Sequence, residues 1–143
     1  MTGSAPDLSS ARDGGLVALR PLVPTADPSL AVTSHEVFLH ATLRPVLKLQ
    51  NETLLALVAD HVRRLVKDFA RFAPDDRRER LASLLRSDSR LKGTLVGAVL
   101  GVLTSDELAF ALAHEAEVRR RIVALVAERV AGQADAVARL IAA

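Results

Sequence analysis

Glycine recurs every fourth residue, at Gly93, Gly97 and Gly101, inside the otherwise apolar run KGTLVGAVLGVLT from Lys92 to Thr104. Few structures accept that pattern. The uninterrupted apolar part, residues 94–103, is ten residues long, whereas a bilayer-spanning helix needs about 20. A phosphate-binding Walker loop needs glycine before Lys-Ser/Thr and a strand ahead of it, but here the order is Lys-Gly-Thr within a helical pattern. A helix satisfies the spacing: residues four apart share a face, so the glycines form one smooth ridge opposite Leu91, Leu95, Val99 and Val102. An apolar surface on all sides predicts a central, buried helix. Each helical glycine costs up to about 1 kcal/mol against alanine. Close approach by a neighbouring helix, or by the same helix of a second copy, offsets that cost.

The flanking sequence is helical too. Thr33 and Glu36 have capping-box spacing and open a helix to about Arg44, where Pro45 kinks it or starts the next. From Val46 to Phe72, Leu47, Leu54, Leu57, Val58, Val62, Leu65, Phe69 and Phe72 fall on one side at 3.6-residue periodicity. Pro74 suits the first turn of a further helix, with Asp75 and Asp76 at its positive end. Ser87 or Asp88 caps the glycine-bearing helix. Thr104 and Glu107 repeat the capping box and open a last helix to at least Val130, which Gly132 ends or weakens. No stretch alternates as a strand does. The expectation is an all-α bundle of about five helices over residues 33–143, one domain, with the glycine-ridged helix at its centre. Residues 1–32 carry four of the six prolines and three of the seven glycines. They read as a mobile arm with a short helix near 7–13.

Half of the 143 residues are hydrophobic, enough for a sizeable core. With no Cys, disulfides, thiolate nucleophiles and Cys-ligated metals are excluded. No basic leader precedes a long apolar run, so the reading is a soluble, cytoplasmic protein. The net charge of +2 gives no global polyanion signal, although residues 60–92 hold ten Lys/Arg against six Asp/Glu. Four Phe with no Tyr or Trp offer little platform for single-stranded nucleic acid. Arg119, Arg120 and Arg121 are candidate phosphate contacts, but the helix containing them opens on Ser105-Asp106-Glu107, which disfavours entry into a DNA groove.

Some polar residues interrupt apolar faces. In a continuous last helix, Leu108, Leu112, Ile122, Val126 and Val130 make a stripe with Glu115 and Arg119 in its middle. The two are four apart, acid first, as in a helical ion pair. They form either a half-buried salt bridge or one side of a polar ligand pocket. Asn51 falls near the centre of the long helix's apolar face and His61 near its edge. Asn51 either cross-links helices or a dimer, or marks a helix end after Gln50. Ligand binding therefore has four candidate residues: Glu115, Arg119, Asn51 and His61.

Catalytic and metal motifs are missing. His35-Glu36 is followed by His40 rather than a histidine at 39, and His114-Glu115 by Val118, so neither is HExxH. No Glu-x-x-His pair of a di-iron bundle appears, nor a Gly-x-Gly-x-x-Gly dinucleotide turn, and no cofactor is expected.

The stretches TLRPVLKLQNETLLALV and SRLKGTLVGAVLGVLTSDELAFALAHEAEVRRRIVALVAERV together resemble a group of small helical bacterial proteins. The resemblance spans residues 36–130. Some members carry a glyoxalase label, which implies paired β-rich modules and metal ligands that this sequence lacks, and the resemblance brings no catalytic residues with it. The combined expectation is a small bacterial interaction or regulatory module rather than an enzyme, pairing with itself or with a protein partner. The alternatives are a ligand-binding or enzymatic bundle with a pocket at Glu115 and Arg119, and a weak DNA-binding protein.

Overall fold

The computed structural model describes residues 8–23 and 34–143. Among these described residues nine α-helical segments follow one another: α1 (Leu8–Leu19), α2 (Ser34–Phe38), α3 (Arg44–Leu49), α4 (Asn51–Leu65), α5 (Pro74–Ser87), α6 (Ser89–Leu100), α7 (Ser105–Ala113), α8 (Glu115–Ala131) and α9 (Ala134–Ala142). No strand occurs among the described residues. A π turn at Leu39–Leu43 joins α2 to α3 without a break, so the described residues form eight separate rods, seven of them within residues 34–143 rather than about five.

The additional breaks have local causes. Pro45 has no N–H for the carbonyl four residues back, and the helix widens just ahead of it, with the Arg44 N–H bonding the Leu39 carbonyl. The long helix expected over 46–72 is cut twice. Gln50 leaves helical geometry at φ −89°, ψ 4°, and α4 begins at Asn51. Beyond Leu65, Asp68 takes a left-handed conformation, φ 60°, and a single 3₁₀ turn at Phe69–Arg71 follows. Pro74 opens α5, and Asp88 caps α6 by accepting from the Leu91 N–H at 2.9 Å. The capping box at Thr104 forms in both directions. The expected last helix divides at His114, φ −122°, ψ 39°, and again at Gly132–Gln133.

The rods meet through their apolar stripes. The buried face of α8 (Val118, Ile122, Val126, Val130) packs on α5 and α6, and α4 (Leu54, Leu55, Val58, Val62) packs on α9 and α6. Phe69 is the largest fully buried side chain. The short α9 closes the assembly with Val137 and Ala138. Burial of each such Val or Leu contributes about 1.5–3 kcal/mol.

Helix α6 behaves as expected on one side only. Leu91, Leu95, Val96 and Val99 are buried. The glycines take the outer side: Gly97 and Gly101 are exposed and Gly93 is half-buried. A Cβ built on Gly97 meets nothing within 4 Å among the described residues. The ridge is thus not the seat of a helix within the described bundle. Its geometry explains this, since residues 93, 97 and 101 lie diametrically opposite 91, 95 and 99 on the helix.

Within the described residues, helix α1 runs through Gly14 and Gly15, past the short helix expected near 7–13. It is attached by polar contacts. Arg12 donates to the carbonyls of Gly101 (3.0 Å) and Leu103 (3.2 Å), and Asp13 accepts from the Ser105 N–H at 3.1 Å.

Candidate functional site

The four candidate ligand residues do not come together. Asn51, at the start of α4, faces the α8–α9 turn. Its side-chain amide exchanges hydrogen bonds with that of Gln133, donating at 3.0 Å and accepting at 2.7 Å. Arg129 Nη1 donates to the same Asn51 oxygen at 3.3 Å. Asn51 therefore marks a helix start and cross-links α4 to α8 and to the α8–α9 turn, which joins the two readings its position allowed. His61 on α4 meets the Asp88 carboxylate, Nε2 to Oδ2 at 2.8 Å. The Asp88 carboxyl lies below the ordinary carboxylate range, held there first by the Leu91 N–H and then by the His61 hydrogen bond. Both residues are thereby committed to fold-stabilising contacts.

Glu115 and Arg119 are exposed, not mid-core, and no ion pair joins them among the described residues. Glu115 is the first residue of α8 and Arg119 lies beside its buried face of Val118, Ile122, Val126 and Val130, while the break at His114 displaces the α7 part of the expected stripe. A stripe extrapolated through one continuous helix carries the phase of α7 into α8, but the two are separate rods. Leu112, counted in that stripe, is 58% exposed. Glu115, Arg119 and Leu112 line a small cleft of about 50 Å³ with Val96, Leu100 and Ile122 at the α6–α8 seam. The Arg119 guanidinium reaches toward the glycine ridge, its Nη2 standing 4.0 Å from a Cβ built on Gly93.

The three consecutive arginines separate in role. Arg120 and Arg121 both pair with Glu117, one turn back. The Glu117 carboxyl is lowered by the Arg121 hydrogen bond, against an opposing effect of burial, with further help from both guanidinium charges and His35. Only Arg119 keeps its charge free of an acidic partner among the described residues.

Two features lay beyond the reach of the sequence. One is a charged clasp. Glu107, on the first turn of α7, receives Arg20 through two hydrogen bonds, 2.7 and 2.5 Å, the Thr42 hydroxyl at 3.2 Å and the Thr104 N–H at 2.8 Å. Burial works to raise this carboxyl. The Arg20 hydrogen bonds, the Thr104 N–H and the guanidinium charge outweigh it and hold the group at about 2. Thr104–Glu107 spacing signals the cap, but nothing local signals a partner 87 residues away. The other is a ring cluster. His35 and His114 meet edge to face at 4.8 Å, and both pack on Phe110, with Phe38 behind. Among the described residues no group of three or more His, Asp or Glu is arranged to hold a metal ion, and no helix is long and apolar enough to cross a membrane.

A much wider recess among the described residues is an open groove of about 410 Å³ between α3 and the end of α8, lined by Arg44, Leu47, Leu125, Glu128, Arg129 and Gln133. It lies away from Glu115 and Arg119. Comparison with known proteins yields no matching family model, no matching curated protein and no matching solved structure.

Proposed function

We propose that the chain is a helical interaction module that pairs with a second copy of itself across the outer side of α6. One observation carries the reading. Gly97 sits exposed in mid-helix, where a Cβ would meet nothing within 4 Å among the described residues. Inside a single copy the glycine costs helix stability of up to about 1 kcal/mol and gains no packing there. A helix laid against the ridge makes that smoothness useful, because small residues let two backbones approach closely.

The surroundings favour a second copy as the partner. Exposed Leu112 and the cleft at Leu100 add apolar surface beside the ridge. Glu115 and Arg119 stand at its edge, one of each sign, unpaired with each other. A two-fold axis brings each surface onto itself, so an acid and a base on one patch become complementary to the same patch on another copy. The catalytic alternative has less support, since Asn51 and His61 are tied into other contacts.

Light scattering across a wide concentration range tests the proposal. The expected species is a dimer, split by Gly97→Leu into folded monomers. Gly97→Ala should raise the monomer's Tm by about 2–5 °C, because helix propensity then acts unopposed. A chain that stays monomeric at every concentration sinks the proposal.

A further inference from the structure

A second feature, independent of self-association, is the groove between α3 and α8. Its walls follow from helical spacing. Arg44 and Leu47 are three apart on α3, and Leu125, Glu128 and Arg129 share one face of α8. The groove therefore has an apolar part, Leu47 and Leu125, and a charged part with two guanidinium groups and one carboxylate.

The two arginines differ in a useful way. Arg129 is held in place. Its Nη1 is fixed on the Asn51 oxygen at 3.3 Å, and its backbone carbonyl accepts from Gln133 Nε2 at 3.1 Å. The reciprocal Asn51–Gln133 amide pair stands behind it. Its remaining guanidinium nitrogens have no protein acceptor among the described residues. Arg44 is exposed, and its guanidinium has neither hydrogen bond nor ion pair among them. One anchored and one free guanidinium thus flank a recess with leucine at its side. Planar guanidinium groups match a carboxylate through paired N–H donors. The volume falls in the range of about 300–1,000 Å³ typical of small-molecule sites. Glu128 reduces the excess of positive charge from two to one, which favours a monoanion over a dianion such as phosphate.

We propose that this groove binds a short-chain organic monocarboxylate. The carboxylate sits between Arg44 and Arg129, and the apolar tail lies along Leu47 and Leu125. The chemistry needed is a single carboxylate on a tail of a few carbons, supplied either by a free acid or by a peptide's C-terminal leucine.

Titration of the full chain with hexanoate, N-acetyl-glycyl-leucine, hexanol and inorganic phosphate tests this. The readout is the NMR signals of the Arg44 and Arg129 Nε–H groups and of the Gln133 side-chain amide. Saturable shifts of these signals with hexanoate or the dipeptide support the site, and the tighter of the two identifies the source of the carboxylate. Hexanol and phosphate should bind at least about tenfold more weakly, a difference of about 1.4 kcal/mol. Arg44→Gln, at an exposed position, should leave the thermal melt unchanged and weaken the carboxylate about tenfold. The proposal is overturned by an absence of saturable shifts for both carboxylates. Hexanol or phosphate matching them overturns it equally, since either result reduces the groove to a greasy or merely basic surface. Unaltered affinity in Arg44→Gln does the same.

Discussion

Replacing Glu107 with Gln isolates the charge of the clasp that ties Arg20 to α7. Glutamine at the third helical position still serves a capping box, so the cap persists while the negative charge is removed. The drop of the carboxyl from an ordinary 4.5 to about 2 corresponds to about 3 kcal/mol of stability at neutral pH, at about 1.36 kcal/mol per tenfold change in proton affinity. The sign follows from the lowered folded-state value. The unfolded chain binds the proton more readily, so the contribution is complete above about 4.5 and disappears as pH falls through about 2. Between those limits it shrinks steadily, to a little under half of its neutral-pH size at pH 3. With no Trp or Tyr in the chain, urea unfolding is followed by circular dichroism at 222 nm, on wild type and Glu107→Gln at pH 7, 4 and 3. The gap between the two proteins should narrow in that order. Arg20→Gln should cost a similar amount, and the double variant little more, because both singles break the same pair. A gap below about 0.5 kcal/mol at pH 7, the range of an ordinary surface substitution, refutes the reasoning. So does a gap that stays constant from pH 7 to 3, since then something other than the charge stabilises the fold.

Asn51→Ala should destabilise by about 1–3 kcal/mol, because it strands the Gln133 amide and one Arg129 donor in a half-buried turn. Adding Gln133→Ala should cost little further, and chemical denaturation of the two singles and the double measures that coupling. Asp88→Ala should lower Tm by about 2–4 °C through loss of the α6 cap and of the His61 contact, whereas Asp88→Asn, still a good cap, should lose less in the same thermal melt.

Short-range chemistry was the legible part of this fold. The Thr104–Glu107 box, Pro74 at the start of α5, the cap at Asp88 and the end at Gly132 all lie where the sequence signals them. The core stripe of α6 is equally plain in the spacing of Leu91, Leu95 and Val99. What escaped was phase across an unmarked break. His114 is neither glycine nor proline, yet the chain turns there, and the stripe begun at Leu108 and Leu112 in α7 does not continue into α8, whose Ile122, Val126 and Val130 remain buried. Leu112 moved from expected core to surface for that reason, whereas Glu115 and Arg119 share α8 with the buried Ile122 and Val126 and lie beside that face. Asp68 likewise adopts a left-handed conformation that its residue type permits but does not demand. The ridge of α6 illustrates a different limit. Its spacing identifies a smooth face, but which side of a helix turns inward depends on neighbours such as α4 and α8 that lie far along the chain. The Arg44–Arg129 groove was hidden in the same way, because its two walls, Arg44 and Leu47 on one side and Leu125 to Gln133 on the other, come from segments far apart in the chain.

The packing of α4 against α9 also carries a consequence for biosynthesis. Leu54, Leu55, Val58 and Val62 are made early, but part of their cover is residues 134–142. About 70 residues separate the end of α4 from the start of α9, which at about 5–20 residues per second takes the ribosome roughly 4–14 s. Throughout that interval the part of the α4 face that α9 covers stays open, while α6, made earlier, can already pack on the rest.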